Sequence, residues 1–371
     1  MLRADTGPLL FMSSSGNLGV STDYVEQQPK TLTKLAPTST FDITTTMLFK
    51  TPIAPLLLAA GLSWPGIRAD NNDDIDDTPL PLVIWHGLGD SFNSEGIQRV
   101  GALAEAINPG TFVYTVSLGD DANGDRSATF FGNVTSQLDS VCAALAAHPI
   151  LSTAPAIDAL GFSQGGQFLR GYVERCNAPP VRSLVTYGSQ HNGIVEFRAC
   201  AASDWLCRGA MALLRYNTFS AFVQSRLVPA QYYRDPAGDY GAYLEGSNFL
   251  ADINNEREGA RNATYADNVA SLSNLVMYMF EDDTTVVPRE TSWFAEVNGT
   301  DRTPLRGRRM YKEDWLGLRR LDAKGGLRFR SVTGEHMQIP DEALNETMAD
   351  FFGPFEREFK PEMAQGMWEE L

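Results

Sequence analysis

The sequence is short of cysteine, histidine and positive charge, and each shortage closes off a class of function. Its 371 residues include four cysteines and four histidines. No two cysteines have the C-x-x-C spacing of a zinc-ligand pair or a redox motif, so no metal centre or dithiol chemistry is expected. Lys and Arg number 30 against 46 Asp and Glu, a formal net charge of −16. That balance argues against a nucleic-acid partner and against general attraction to anionic membranes. There is no internal repeat of solenoid period. The most apolar stretch, Thr51 to Leu62, is too short for a membrane-spanning helix.

What is present is a large potential core: 43% of residues are hydrophobic. The length suits one catalytic domain with insertions. Residues 1–46 are rich in Ser, Thr, Gly and Pro and read as disordered, a non-native extension if translation starts at Met47. Residues 47–69 read as a signal peptide, with Lys50, an apolar run and then small residues. Residues 70–78 form an acidic spacer, 79–355 the catalytic domain and 356–371 a tail. Four Asn-x-Thr sequons, at Asn133, Asn262, Asn298 and Asn345, fit passage through the secretory pathway, to a lysosome or vacuole or to the medium. Asn133 and Asn345 sit near predicted helix starts, where they could instead be caps. Four cysteines allow three pairings. Cys200 and Cys207 bracket a short loop and read as a local clip, which leaves Cys142 with Cys176. The alternative is four reduced thiols, and secretion decides between the two.

Short apolar runs alternate with helical patterns. Leu80–Trp85, Thr111–Val116, Ala156–Phe162, Ser183–Tyr187, Leu275–Phe280 and Leu327–Val332 read as strands. Helices are expected over 94–107, 133–148, 165–176 and 341–352. This alternation predicts an α/β fold, a mostly parallel sheet with helices on both faces. Functional groups then gather at the carboxyl ends of the strands. Residues 190–270 are helical and aromatic with no clear strand, and are expected to form a helical cap.

Gly161-Phe-Ser163-Gln-Gly165 follows an apolar strand and opens a helix, the setting of a nucleophile elbow. Ser163 is therefore the candidate nucleophile, against the lesser reading of a plain helix cap. Two backbone amides are needed to hold the oxyanion. Gln164, after the serine, is one; Leu88, in the loop His86-Gly-Leu-Gly-Asp90 after the first strand, is the other candidate. A serine needs a base. His148 looks like a solvated or capping residue. His86 and His191 follow strands near the same edge. The chain order serine, acid, histidine requires a late histidine, which selects His336. The acid should follow the Leu275–Phe280 strand, where Asp282 and Asp283 are the candidates.

Four segments together resemble the lysosomal palmitoyl-protein thioesterase family: Leu82 to Asp90, Gly161 to Arg170, Phe249 to Asn254 and Gly334-Glu-His336. The resemblance runs from about 79 to 352, with the motifs in the same order. It implies an α/β-hydrolase fold and release of palmitate from S-acylated proteins or peptides. It also implies Ser163, Asp283 and His336 as the triad, Leu88 and Gln164 as oxyanion donors, and disulfides Cys142–Cys176 and Cys200–Cys207. The family's glycosylation site falls at Asn262. Where animal members carry an extra cysteine pair, this chain has Ser91-Phe-Asn-Ser94.

Burial of each acyl methylene is worth about 0.8 kcal/mol, so a long chain needs an apolar groove. The 190–270 insertion, which carries Trp205, Met211, Phe219, Phe222 and Tyr232 among its apolar residues, is expected to provide it; most of these residues should form the core of the cap itself, and no individual groove residue is singled out. No metal or organic cofactor is required. The triad would serve an ester lipase equally well, and a lipid-binding protein on an inactive hydrolase scaffold would lack a triad member, which this chain does not.

Overall fold

The computed structural model describes residues 77–197, 200, 202–214 and 217–360. The segments read above as an N-terminal extension and signal peptide, most of the acidic spacer, and the end of the tail lie outside them.

The strands are β1 (Leu82–Trp85), β2 (Val113–Thr115), β3 (Ile157–Phe162), β4 (Val181–Tyr187), β5 (Asn274–Phe280), β6 (Glu296–Asn298), β7 (Asp301–Thr303) and β8 (Leu327–Val332). Six form one sheet in the order β2-β1-β3-β4-β5-β8, and every neighbouring pair is parallel. The two remaining strands make a small antiparallel hairpin.

Successive side chains of a strand point to opposite faces, and the core divides accordingly. Leu82 and Ile84 of β1 join one apolar cluster with Leu160, Tyr187 and Phe280. Val83 and Trp85 join another with Ala159, Leu184 and Met277. Helices α1 (Glu95–Ile107), α2 (Ala122–Phe130), α3 (Val134–Ala147) and α4 (Gln164–Arg175) lie between the first strands. The long β4–β5 connection carries α5 (Trp205–Leu213), α6 (Ala221–Gln224), α7 (Tyr240–Gly246), α8 (Leu250–Ile253) and α9 (Ala263–Ser271). Then come α10 (Arg309–Lys312), α11 (Leu318–Ala323) and α12 (Asp341–Phe351). Ile97, Val100 and Ala104 of α1 and Leu344, Met348 and Phe351 of α12 cover the first face. Residues of α3, α4, α9 and α11 cover the second. Burial on both faces explains why the inner strands read as largely apolar runs, while the edge strands β2 and β8 are less buried. This is the α/β-hydrolase architecture.

Two local readings are refined. Asn133 caps α3, its Oδ1 accepting from Ser136 N at 3.1 Å. Asn345 lies inside α12, exposed, rather than at the helix start. His148 ends α3 with its backbone amide donating to the Leu145 carbonyl, its ring Nδ1 accepts from the amides of Ile150 and Leu151 in the turn that follows, and it packs on Phe112 and Tyr114 rather than standing in solvent. The cysteines pair as Cys142–Cys176 and Cys200–Cys207. The first bond ties α3 to the end of α4; the second closes the loop that leads into α5.

Candidate active site

The turn at Ser163 is set by what its neighbours lack. Ser163 stands at φ 52, ψ −124, a region that L residues with a Cβ rarely adopt. Glycines on either side make it possible: a Cβ on Gly161 would lie 2.2 Å from Gly166 Cα, and one on Gly165 2.3 Å from the Trp85 carbonyl oxygen. Strand β3 and helix α4 therefore meet almost in contact. The serine is lifted above the carboxyl edge of the sheet at the start of a helix, where the backbone dipole favours negative charge.

His336 approaches from the loop after β8. Its Nε2 is 3.0 Å from Ser163 Oγ, and its Nδ1 is 2.7 Å from Asp283 Oδ2. A neutral imidazole with its hydrogen on Nδ1 satisfies both contacts, donating to the carboxylate and accepting from the hydroxyl. Asp283 is fixed in turn: its Oδ1 accepts from the amides of Thr285 at 2.8 Å and Val286 at 2.9 Å. Its side chain is 1% exposed and that of His336 9%. The neighbouring Asp282 is exposed, so the choice left open between the two falls on Asp283. Gly188, at φ +57, clears room for the ring, since a Cβ there would lie 3.0 Å from His336 Cε1.

The other strand-end histidines are engaged elsewhere. His191 is fully buried, 3.0 Å from Thr186 Oγ1 and stacked on Phe294. Burial and the nearby Arg170 hold its pKa well below the usual imidazole value. His86 Nε2 lies 2.9 Å from Asp125 Oδ2. Asp125 also accepts from Phe92 N and Leu118 N, each at 2.7 Å. Burial works to raise its pKa, and the bonds from His86, Leu118 and Phe92 together bring it below the ordinary carboxylate value. One buried carboxylate thus anchors both ends of the loop 86–92, and with it the Leu88 amide. Ser94, just after the loop, caps α1 by accepting from Ile97 N at 3.4 Å.

Gly87 brings that loop against the serine; a Cβ on it would stand 3.1 Å from Ser163 Cβ. Gln164 is the first residue of α4, so its amide has no carbonyl one turn back to bond. Its side chain is pinned out of the way, with Nε2 on the Thr129 carbonyl at 3.3 Å and Oε1 accepting from Tyr232 OH at 3.2 Å. Asp125, Thr129 and Gly188 were not singled out by the sequence. The polar, partly buried face of α2 hid the first two, and no motif marks the third.

Ser163 and His336 open into a cavity of about 780 Å³, within the roughly 300–1,000 Å³ of small-molecule sites. Phe130, Ile194, Met211, Pro229 and Tyr232 form one wall. Of the aromatic residues that the 190–270 segment carries, Tyr232 lines the cavity, while Trp205 and Phe222 face solvent and Phe219 packs on Tyr233 and Tyr243.

The family model described as palmitoyl protein thioesterase matches residues 81–336. The chain belongs to the palmitoyl protein thioesterase family. It is 37% identical over 278 residues to palmitoyl-protein thioesterase 1 of Caenorhabditis elegans, an alignment that covers 74% of this chain and 92% of the relative. It is 32% identical over 266 residues to palmitoyl-protein thioesterase 3 of Dictyostelium discoideum, covering 71% and 86%. Lysosomal thioesterase PPT2 of Homo sapiens is more distant, at 26% over 250 residues, covering 67% and 78%. Two family-like segments meet in space: Arg170 of α4 donates to Asn254 Oδ1 at 2.9 Å, and Phe168 packs edge-on against Phe249 at 5.4 Å. They clamp the β4–β5 connection to the elbow helix.

Proposed function

We propose that this palmitoyl protein thioesterase family member is a serine thioesterase that releases long-chain fatty acyl groups, palmitoyl above all, from S-acylated cysteines of proteins or peptides. The observation that carries the reading is the Ser163–His336–Asp283 hydrogen-bonded series at the floor of a largely apolar cavity. His336 takes the Ser163 proton as Oγ attacks the thioester carbonyl carbon. The amides of Leu88 and Gln164 face the oxygen that gains charge. The C–S bond breaks, the thiolate takes the proton back from the imidazolium, and an acyl-serine remains. Water, deprotonated by the same imidazole, attacks that ester and frees the fatty acid. Asp283 holds the ring orientation and stabilises the imidazolium without itself becoming protonated.

The assay is parallel hydrolysis of palmitoyl thioesters and palmitoyl esters of matched leaving groups over several chain lengths, with Ser163→Ala as control. The reading expects thioester turnover that rises with chain length and vanishes in the variant. Preference for the oxygen ester would assign an ester lipase instead.

We read 79–355 as the catalytic domain, with 190–270 as its cap. The two disulfides and the lysosomal name of one relative favour a lysosomal, vacuolar or secreted location. Asn262, Asn298 and Asn345 are exposed and are the preferred acceptors for glycans. Asn133 is a lesser one, because it is only partly exposed.

A further inference from the structure

The cavity is not confined to one side of the sheet. Its wall of Ile194, Tyr232 and Val286 belongs to the core cluster on the α3–α4 face, and Phe130 to the cluster beneath α5 and α6. Its opposite wall of Ile97, Val100, Met337, Ile339 and Leu344 belongs to the α1–α12 face. Ser163 lines the cavity together with both sets, so the nucleophile has an apolar lining, or arm, from each face of the sheet.

From this two-sided lining we infer that the α1–α12 arm is a leaving-group subsite that binds apolar side chains flanking the S-acylated cysteine. The inference rests on the proposed thioesterase reaction. The departing sulfur must take a proton from His336 Nε2, so it leaves beside that ring. Met337 and Ile339 follow His336 directly in the chain and carry the arm's wall away from it. Ile97, Val100 and Leu344 form its buried floor, 4%, 6% and 3% exposed. The rim is open and charged: Arg99 and Asp341 pair at 2.9 Å, with side chains 66% and 79% exposed. An open rim suits a peptide, which must continue out of the site. Among the described residues the arginine of this arm is Arg99, already paired with Asp341, which is too little for a polyphosphate carrier, and the net charge of −16 opposes one. The acyl chain is left the other arm, beneath the β4–β5 connection.

The test compares S-palmitoyl peptides that differ only in whether Leu or Ser flanks the cysteine, and separately palmitoyl and octanoyl forms of one peptide. The wild-type protein should favour the Leu-flanked peptide by about ten-fold in kcat/KM, the discrimination that a few buried methylenes give. Ile339→Asn should cut that ratio below about three-fold and leave the palmitoyl-to-octanoyl ratio as it was. Met337→Ser, in the same wall, should act likewise. A wild-type protein indifferent to the flanking residues overturns the subsite. So does an Ile339→Asn protein whose chain-length ratio changes while its flank preference persists, since the arm would then hold the acyl chain. Failure of the wild-type protein to release palmitate from every peptide would overturn the thioesterase reading and the subsite with it.

Discussion

Asp283 and Asp125 are both buried carboxylates, and they support different parts of one site. Asp283 has one oxygen on His336 and the other on two backbone amides. Asp283→Asn leaves no carboxylate to select the Nδ1–H tautomer, and kcat should fall by about 10⁴-fold, measured on a palmitoyl thioester with folding checked by circular dichroism. Asp125 never reaches the serine. Asp125→Asn would release the 86–92 loop, and kcat should drop by about 10²-fold, the loss expected when one oxyanion donor is displaced, with KM little changed. The same substitution has a pH signature. The pKa of Asp125 is lowered by folding, so its stabilisation is complete above the unfolded value of about 3.9. It fades as pH falls through the lower folded value. Urea titrations should therefore show the gap between wild type and Asp125→Asn shrinking with acidification below about pH 4.

The strand-to-helix junction at 161–166 and the two disulfides are where local covalent geometry fixes the site. Gly165→Ala would drive a methyl group to 2.3 Å from the Trp85 carbonyl. The melting temperature should fall by an amount equivalent to at least about 1–3 kcal/mol, with activity lost alongside. Cys142–Cys176 closes 34 residues of sequence separation and Cys200–Cys207 only seven. By chain entropy the first contributes about 4 kcal/mol and the second about 2–3. Replacing Cys142 and Cys176 together by Ala should cost the larger share of stability in chemical denaturation. Replacing Cys200 and Cys207, which border the cavity, should cost the smaller share of stability and also change chain-length preference. All six strands of the main sheet were legible in the sequence: β1, β3, β4 and β5 are buried along their length and largely apolar, while the edge strands β2 and β8 are less buried and showed through short apolar and β-branched stretches. The β6–β7 hairpin and the short α10 and α11 were not, since three- to six-residue elements carry too few turns or alternations to show a period. Helix α2 was hidden for a different reason: its buried positions include Asp125 and Thr129, which no hydrophobic pattern reveals.

Ser163, Asp283 and His336 are far apart in the chain and meet because a parallel sheet delivers the ends of β3, β5 and β8 to one edge. That edge was readable from the strand pattern, and the serine and histidine from motif and chain order. The choice of Asp283 over Asp282 needed either the family resemblance or the coordinates. The two-armed cavity was not readable at all, because its walls belong to opposite faces of the sheet. The whole molecule also carries a pH preference. Burial, opposed by Arg182 and Arg170, pushes Asp158 up to about 7 and Glu174 up to about 8. Between their unfolded values near 4 and these folded values the native state holds more protons than the unfolded chain, so stability falls as pH rises. Relief of the −16 charge on acidification acts in the same direction. The melting temperature should be higher at pH 5 than at pH 7.5, as suits an acidic compartment; the reverse order would remove that argument.

The central claim is a covalent one, that the fatty acid passes through Ser163. The protein should be mixed with an S-palmitoyl peptide, quenched in acid within the first turnovers, digested and analysed by mass spectrometry. The account predicts a palmitoyl group in ester linkage on Ser163, absent from Ser163→Ala and chased away by longer incubation. Palmitate release with no acyl group on that serine, or undiminished release by Ser163→Ala, would contradict it.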